Sequence, residues 1–168
     1  MNKLLNALHE CKRRDDRGMM ADLRCILVEN KKHRAWPALH RLGVGIDEEV
    51  KSFIAGLYAT HPEATSTGNF GTTCKEIETA RNESASDSKL TPTERRFQYL
   101  LAARTKDELR DRVHVMVRMA KTQNISVNYG QLEKDLTNWF KGWGDSIRTK
   151  WAAKFWTPSV DSTDEEES

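Results

Sequence analysis

Asp47-Glu-Glu-Val-Lys-Ser-Phe-Ile-Ala-Gly-Leu-Tyr58 is the stretch that decides the fold class. Its apolar side chains recur three and four positions apart, which places them on one face of an α-helix. Asp47 is the expected N-cap of this helix, and Pro62 is expected to end it. No segment of four to eight residues alternates polar and β-branched residues as a strand does. The sequence therefore predicts an all-α fold.

Apolar periodicity of the same kind predicts helices on both sides of this segment, about eight in total. Upstream, Leu4 to Leu8 indicate a first helix, and Met20, Leu23 and Leu27 indicate a second one. Pro37 and Gly43 are typical of the start and the end of a third, short helix. Several starts carry N-cap or capping-box signals, in which a side chain accepts a hydrogen bond from a first-turn N–H. These signals are Asp15 or Asp16, Thr91-Pro-Thr-Glu94, Thr105-Lys-Asp-Glu108, and Asn128 with Gln131.

Polar stretches without periodicity divide the chain. Residues 62–72 are rich in small and turn-forming residues and are expected to form an exposed loop. Residues 83–90 are the expected linker between an N-terminal helical bundle, 1–82, and a C-terminal four-helix bundle, 91–157. A break at Gly144-Asp145 is expected before the last helix. Residues 158–168 form an acidic tail that offers little apolar surface and is expected to be disordered.

The net charge of +2 hides two basic blocks. Residues 1–41 hold ten Lys or Arg against five acids, and residues 94–156 hold thirteen against seven. Five acids and no base lie between Asp161 and Ser168, so the rest of the chain carries +7. A body this basic favours a polyanionic partner, although solvated helix faces show similar counts. The tail either covers the basic surface when no nucleic acid is bound or serves only for solubility.

No catalytic or metal-binding motif is present. The sequence lacks a phosphate-binding G-x-x-x-x-G-K-[ST] loop, an H-E-x-x-H zinc motif and a G-x-S-x-G nucleophile elbow. The histidines are scattered, and adjacent acids such as Asp15-Asp16 are typical of helix caps rather than of a catalytic pair. We therefore expect no enzyme activity, no catalytic residue, no metal and no cofactor.

Localisation follows from apolar runs and cysteines. The apolar runs are far shorter than the roughly 20 residues that cross a bilayer, and the N-terminus lacks a signal-peptide core. Three cysteines without a CxxC pair, Cys11, Cys25 and Cys74, argue against a disulfide framework and indicate small buried side chains. We expect a cytoplasmic protein with no membrane partner and no small-molecule substrate.

The aromatic residues of the C-terminal half are spaced like a helix core. Trp139, Trp143 and Trp151, with Phe140 and Phe155, recur at helical intervals. A base-stacking platform is the alternative, but packed core is the more frequent role of such a stripe.

Basic side chains are the candidate functional residues, because guanidinium and ammonium groups neutralise phosphates regardless of base identity. One group gathers around a single turn, and the other recurs along two consecutive predicted helices, off their apolar stripe. The candidates from this pattern are Arg13, Arg14, Arg17, Arg24, Arg95, Arg96, Arg104, Arg110, Arg118 and Lys121.

Three blocks together resemble the CasB family, the small subunit of the type I-E CRISPR Cascade complex. They are Asp16-Arg-Gly18 followed by Ala21-Asp-Leu-Arg24; Glu94-Arg-Arg-Phe97 with Leu100-Leu101; and Leu136-Thr-Asn-Trp139 with Arg148-Thr-Lys-Trp151-Ala-Ala-Lys-Phe155. The chain differs from the family pattern at Cys25 and at Asp145-Ser146, where basic residues are common. The resemblance covers the whole chain except the acidic tail, and it is loose around Gly68-Asn-Phe-Gly71.

The resemblance implies two small helical bundles in one elongated subunit, present as a pair within the crRNA-containing Cascade complex with other Cas subunits. It implies a non-catalytic protein that holds target DNA and the displaced strand through their backbones and stabilises the R-loop in antiviral defence. Guide RNA then supplies the sequence specificity. By motif, Arg17 and Arg24, Arg95 and Arg96, and Arg148 carry over as nucleic-acid contacts.

Two other interpretations remain open at the level of sequence. One is an all-helical interaction adaptor or regulator whose arginines are solvated and whose partner is a protein. The other is a helix-turn-helix transcription factor, which would need a recognition helix set apart by a tight turn. No segment separates in that way.

Overall fold

A computed structural model describes residues 2–82 and 89–157. Within these ranges the chain is helical without a β-strand, and an isolated bridge joins Ala64 to Val127. The all-α class is confirmed. The α-helices are α1 Lys3–Arg13, α2 Arg17–Arg24, α3 Trp36–Arg41, α4 Glu49–Thr60, α5 Phe70–Arg81, α6 Pro92–Leu101, α7 Lys106–Gln123, α8 Tyr129–Asn138 and α9 Gly144–Phe155.

Helix α4 lies at the centre of the fold, because all residues from Ser52 to Ala59 are buried. It packs against α1, α2, α7 and α8. Gly56 allows the approach of α2 and the turn after it, since a Cβ there would lie 2.1 Å from Ile26 Cγ2. The expectation that Asp47 caps this helix was wrong: the N-cap is Glu48, whose carboxylate accepts a hydrogen bond from the Gly45 N–H at 3.1 Å.

The N-terminal half agrees with the expected helices in most places. Asp16 caps α2, accepting from the Met19 N–H at 3.1 Å, and Gly43 has a positive φ of 76° just after α3. Leu27 does not continue α2, which ends at Arg24, but lies in a 3₁₀ turn, Cys25–Leu27. Cys11 and Cys74 are buried as expected, whereas Cys25 is half-buried.

The expected loop at 62–72 was wrong at its end, because α5 begins at Phe70. Asn69 and Thr72 form a capping box that starts the helix among turn-forming residues, and Phe70 and Gly71 are buried. Gly71 lies against α9: a Cβ there would be 2.0 Å from the carbonyl oxygen of Trp151. This contact brings α5 and α9 closer than any larger residue would allow.

Helix caps in the C-terminal half follow the sequence signals. Thr91 and Glu94 form the expected capping box, with both hydrogen bonds at 3.0 Å. Asn128 accepts from the Gln131 N–H at 3.1 Å. The second predicted box is incomplete, because Thr105 caps α7 but the Glu108 carboxylate accepts from the Arg104 N–H instead.

A kinked segment, Trp139–Trp143, connects α8 to α9. The expected break at Gly144-Asp145 lies slightly earlier, at Gly142, whose φ of 93° interrupts the helix. Lys141 and Gly142 have non-helical backbone angles, so the helical spacing is broken here; Trp139 is buried, while Phe140 and Trp143 are 42% and 62% exposed. The core assignment therefore holds for Trp139, Trp151 and Phe155 and was wrong for Phe140 and Trp143.

Residues of both halves contribute to a single hydrophobic cluster. Helix α5 packs on α9, and α4 packs on α8. A polar chain crosses the same region: His9 Nδ1 lies 2.7 Å from the Tyr58 hydroxyl, and the Tyr129 hydroxyl donates to the carbonyl of His61 at 2.5 Å. Burial raises the pKa of Tyr58 to about 12. The division into 1–82 and 91–157 stays a prediction, and most of the predicted linker and the acidic tail lie outside the described residues.

Candidate nucleic-acid interface

The turn between α1 and α2 presents Arg13, Arg14 and Arg17 to solvent. Asp15 adopts a positive φ of 53° there, which reverses the chain between the helices. Arg13 and Arg14 both pair with Glu10, one turn earlier on α1, and Arg17 pairs with Asp15 at 3.3 Å. The hydrogen bond from Arg13 holds the pKa of Glu10 below its usual range. Such exposed pairs contribute little stability and exchange readily for another anion.

Arg24 lies at the carboxyl end of α4 and donates to the Ala59 carbonyl at 3.2 Å. Lys12 approaches the same end from α1, donating to the Pro62 carbonyl at 2.7 Å. The imidazole of His61 lies 2.5 Å from the Ile125 carbonyl, four residues beyond Lys121 on α7. Lys12 and Arg24 therefore meet around one helix terminus, whose free carbonyls attract cations, and His61 joins this terminus to the segment after α7.

Arg95 and Arg96 follow the capping box of α6. The buried face of α6 is formed by Thr93, Phe97 and Leu100. At roughly 100° per residue, Arg95 projects away from that face and Arg96 projects to its side. Both are exposed, and within residues 2–82 and 89–157 neither forms an ion pair or a side-chain hydrogen bond.

Helix α7 carries Arg110, Arg118 and Lys121 on one flank, eight and eleven residues apart. Arg110 is half-buried, with its guanidinium carbon 5.0 Å from the centre of the Phe53 ring. Arg118 and Lys121 are exposed. His114 lies between them, and burial, followed by the charge of Arg118, lowers its pKa.

Arg104 precedes α7 and is exposed. Its backbone N–H donates to Glu108 at 3.0 Å, so the hydrogen bond fixes the backbone and leaves the guanidinium in solvent.

Arg148 differs from the other candidates because two backbone carbonyls and an aromatic ring together hold its guanidinium. Nε donates to the Leu101 carbonyl at 2.9 Å, and a terminal nitrogen donates to the Ala103 carbonyl at 3.3 Å. The guanidinium carbon lies 4.8 Å from the centre of the Trp139 ring. The side chain is only 31% exposed, and it joins α9 to the loop between α6 and α7.

Arg112 was missed by the sequence analysis, and so was its partner Tyr99. The Arg112 guanidinium carbon lies 3.4 Å from the centre of the Tyr99 ring, and Arg112 donates to the Tyr99 carbonyl at 2.8 Å. The two residues lie on different helices, whose relative rotation no sequence pattern gives. A weak signal existed, since Tyr99 follows Arg95 by four residues and stands off the apolar stripe of α6.

The basic residues of α6 and α7 fall into two groups. Arg112 faces α6, through Tyr99, whereas Arg110 and Lys121 lie roughly half a turn around α7. Arg112 therefore shares a surface with Arg95 and Arg96 of α6. The opposite flank of α7, which carries Arg110, faces Phe53 of α4.

Among the described residues, no three His, Cys, Asp or Glu side chains lie close enough together to hold a metal ion. In the same ranges, no helix combines the length and the apolar character that a membrane span requires.

The family model of CRISPR-associated protein Cse2 matches residues 19–156 of the chain. The chain belongs to the Cse2 family. This confirms the resemblance to the small subunit of the type I-E Cascade complex. A comparison with curated protein sequences gives no significant match.

Solved Cse2 and CasB structures have the same fold. A Cse2-family protein from Thermus thermophilus is 18% identical with a TM-score of 0.71, covering 92% of this chain and 96% of its own. A structure of CasB from Thermus thermophilus is 21% identical with a TM-score of 0.69, over 92% and 96%. CasB from Thermobifida fusca is 19% identical with a TM-score of 0.68, over 90% and 93%. At these identities the similarity establishes the fold alone.

Proposed function

We propose that this Cse2-family chain is a non-catalytic subunit of a type I-E Cascade complex that holds DNA strands by their phosphates. Its partners are the crRNA-containing assembly with other Cas subunits, a second copy of itself, the target DNA and the displaced strand. Family membership supports the place in Cascade. The contacts to DNA rest on the basic side chains described above.

The free guanidinium groups of Arg95 and Arg96 are the observation that carries the proposal. They lie next to each other on α6, are exposed, and have no acidic partner in the described ranges. An arginine without an internal partner gains more from a phosphate than one that must first leave a carboxylate. These two residues are therefore the primary contacts, and the pairs around the α1–α2 turn are secondary.

The convergence of both halves at the carboxyl end of α4 supports a longer track. Arg24 and Lys12 contact this end from α2 and α1, and the end of α7 that carries Lys121 is joined to it through His61. Such a track neutralises successive phosphates without reading bases. Replacing a DNA duplex with an RNA–DNA heteroduplex is nearly balanced in free energy, so a few phosphate contacts are enough to favour the open R-loop.

A salt titration with matched double variants tests the proposal. Arg95→Ala/Arg96→Ala and Arg13→Ala/Arg17→Ala remove the same charge from two surfaces. For DNA binding by the assembled complex, the first variant should reduce the slope of log K against log salt by roughly 2, because each phosphate contact contributes about 0.9. The second variant should reduce it by less, since its arginines already have acidic partners.

Equal slopes for wild type and Arg95→Ala/Arg96→Ala, in a variant with an unchanged unfolding midpoint, would contradict the proposal. Equal losses in the two double variants would mean that net charge alone matters and that the free pair on α6 has no special role.

An adaptor function is the second candidate, favoured by the exposed rings of Phe140 and Trp143. Exposed aromatic residues are enriched where proteins contact proteins. Trp143→Ser separates the two functions: an adaptor loses co-purification with other Cas subunits, whereas a DNA clamp assembled through other surfaces retains both assembly and the salt slope.

A further inference from the structure

Tyr99 and Arg112 form a stacked pair on the surface between α6 and α7. The 3.4 Å between the guanidinium carbon and the ring centre places the guanidinium flat against one face of the ring. Arg112 is held there by the Tyr99 carbonyl at 2.8 Å and by Glu108 at 3.5 Å. Its side chain is only 15% exposed, so the position of the cation is fixed before any ligand arrives.

Arg112 covers one face of the Tyr99 ring and leaves the other open. Tyr99 is 60% exposed, although its neighbours Phe97 and Leu100 on the same helix are fully buried. A large ring fixed on one side and free on the other is organised for stacking. The Tyr99 side chain is already ordered in the folded protein, so it loses little conformational entropy on binding.

Arg95 and Arg96 stand one helical turn before Tyr99, at i−4 and i−3. Residues at these intervals are neighbours on a helix surface, about 5–6 Å apart between Cβ atoms. The ring therefore stacks on one guanidinium group, and two residues with unpaired guanidinium groups are its neighbours on the surface of α6. This combination of an aromatic face with adjacent cations is typical of sites that bind single-stranded nucleic acid.

We propose that Tyr99 stacks against an unpaired base of a single strand whose neighbouring phosphates are bound by Arg95 and Arg96. The inference rests on the proposed DNA-binding function and deepens it by naming the ligand class. A base within a duplex has both faces covered by its neighbours, so the site favours the single strand over the duplex. Every base has an aromatic face, so the contact does not depend on sequence.

The charges around the ring favour nucleic acid over a protein partner. Arg95, Arg96 and Arg112 are the basic neighbours of Tyr99, and Glu108, the acid that pairs with Arg112, is also engaged by the Arg104 N–H. A protein segment would need a dense row of acids to match this surface. A single strand supplies a negative charge with every nucleotide.

Stacking is measured with the full-length chain and a short single strand containing one 2-aminopurine, whose fluorescence falls when it stacks. Wild type should quench the probe and should bind a normal strand more tightly than an abasic strand of equal length. Tyr99→Ala should remove the quenching and weaken binding to the normal strand by about fivefold to a hundredfold. Tyr99→Phe keeps the aromatic face and should behave as wild type.

Tyr99→Leu is the matched control, since it keeps apolar bulk beside Arg112 without an aromatic face. It should fail in the same way as Tyr99→Ala while leaving the affinity for abasic and duplex DNA unchanged. Equal weakening for all strands would instead show that Tyr99 only positions Arg112, which would overturn the inference.

The failure of this inference differs from failure of the proposed function. If wild type binds normal and abasic strands equally, with a steep salt dependence and no quenching, the phosphate contacts stand and the stacking is refuted. If neither strand shows salt-dependent binding, either to the chain alone or to the assembled complex, both proposals are refuted. If Tyr99→Ala disrupts assembly with other Cas subunits while DNA affinity is unchanged, Tyr99 faces a protein instead.

Discussion

The α1–α2 turn and the first turns of α6 both present clustered arginines, yet their chemical states differ. Arg13, Arg14 and Arg17 each lie within 4 Å of a carboxylate from Glu10 or Asp15. Arg95 and Arg96 have no such partner among the described residues. The number of arginines in a block therefore does not measure its attraction for phosphate. The acids that share the same turn decide how much of that charge is available.

Replacing Arg148 should have the largest effect on the free energy of unfolding, because this arginine makes the most contacts with the rest of the protein. Arg148→Ala leaves the carbonyls of Leu101 and Ala103 without their donors and uncovers the Trp139 ring. The free energy of unfolding should fall by about 1–3 kcal/mol. Denaturant unfolding checks this value.

Arg95→Ala is the matched exposed control for Arg148→Ala and should change the free energy of unfolding by less than about 0.5 kcal/mol. A stable Arg148→Ala protein with weakened DNA binding would show that Arg148 acts on the nucleic acid and that its internal contacts are dispensable.

Removing acids from the α1–α2 turn should make its arginines behave like those of α6. Glu10→Gln/Asp15→Asn frees Arg13, Arg14 and Arg17 while Asp16 continues to cap α2. DNA affinity should rise at low salt, and the salt slope should steepen by roughly 1 to 2. Titration of DNA binding between low and moderate salt measures both quantities.

Asp22→Asn/Glu76→Gln gives the same change of net charge at exposed acids that pair with no arginine in the described ranges. If both double variants raise affinity equally, the effect comes from net charge, and the distinction between engaged and free arginines loses its support.

Protonation of His114 on α7 should have the smallest effect on DNA affinity. Burial lowers the folded pKa of His114, so this residue stabilises the fold above its unfolded pKa near 6.5 and loses that contribution as pH falls. Bound phosphate opposes this shift by favouring the charged imidazole. DNA affinity should therefore rise a few fold between pH 7.5 and 5.5, and His114→Gln should flatten that part of the profile.

An identical pH profile in His114→Gln and wild type would place the titrating group elsewhere. It would also remove His114 from any contact with the strand.

Much of the fold could be predicted because its signals are local. The Thr91–Glu94 capping box, the Asp16 cap and the stripe of α4 depend on residues within one or two turns of each other, and the sequence contains them all. The start of α5 at Phe70 was missed because Asn69 and Gly71 also favour turns. Only the close contact of Gly71 with α9 shows that the glycine serves packing.

The candidate site was harder to predict because it depends on distances between helices. Trp143 lies just after a kink at Lys141 and Gly142, where the backbone leaves the helical conformation, so the helical spacing of α8 does not continue to it. Tyr99 and Arg112 meet only because α6 packs on α7 in a particular rotation. The family resemblance named Arg95 and Arg148 alike, but only the packed structure separates the solvated guanidinium from the internal one.

The contact of Gly71 with the Trp151 backbone also offers a genetic tool. A methyl group at position 71 would lie 2.0 Å from the Trp151 oxygen, so Gly71→Ala lowers the amount of folded subunit without altering any basic side chain. Under the proposed function, immunity lost through scarcity of the subunit should recover when its expression is raised. Immunity lost with Arg95 and Arg96 should not, and this dosage response separates the two causes inside a living cell.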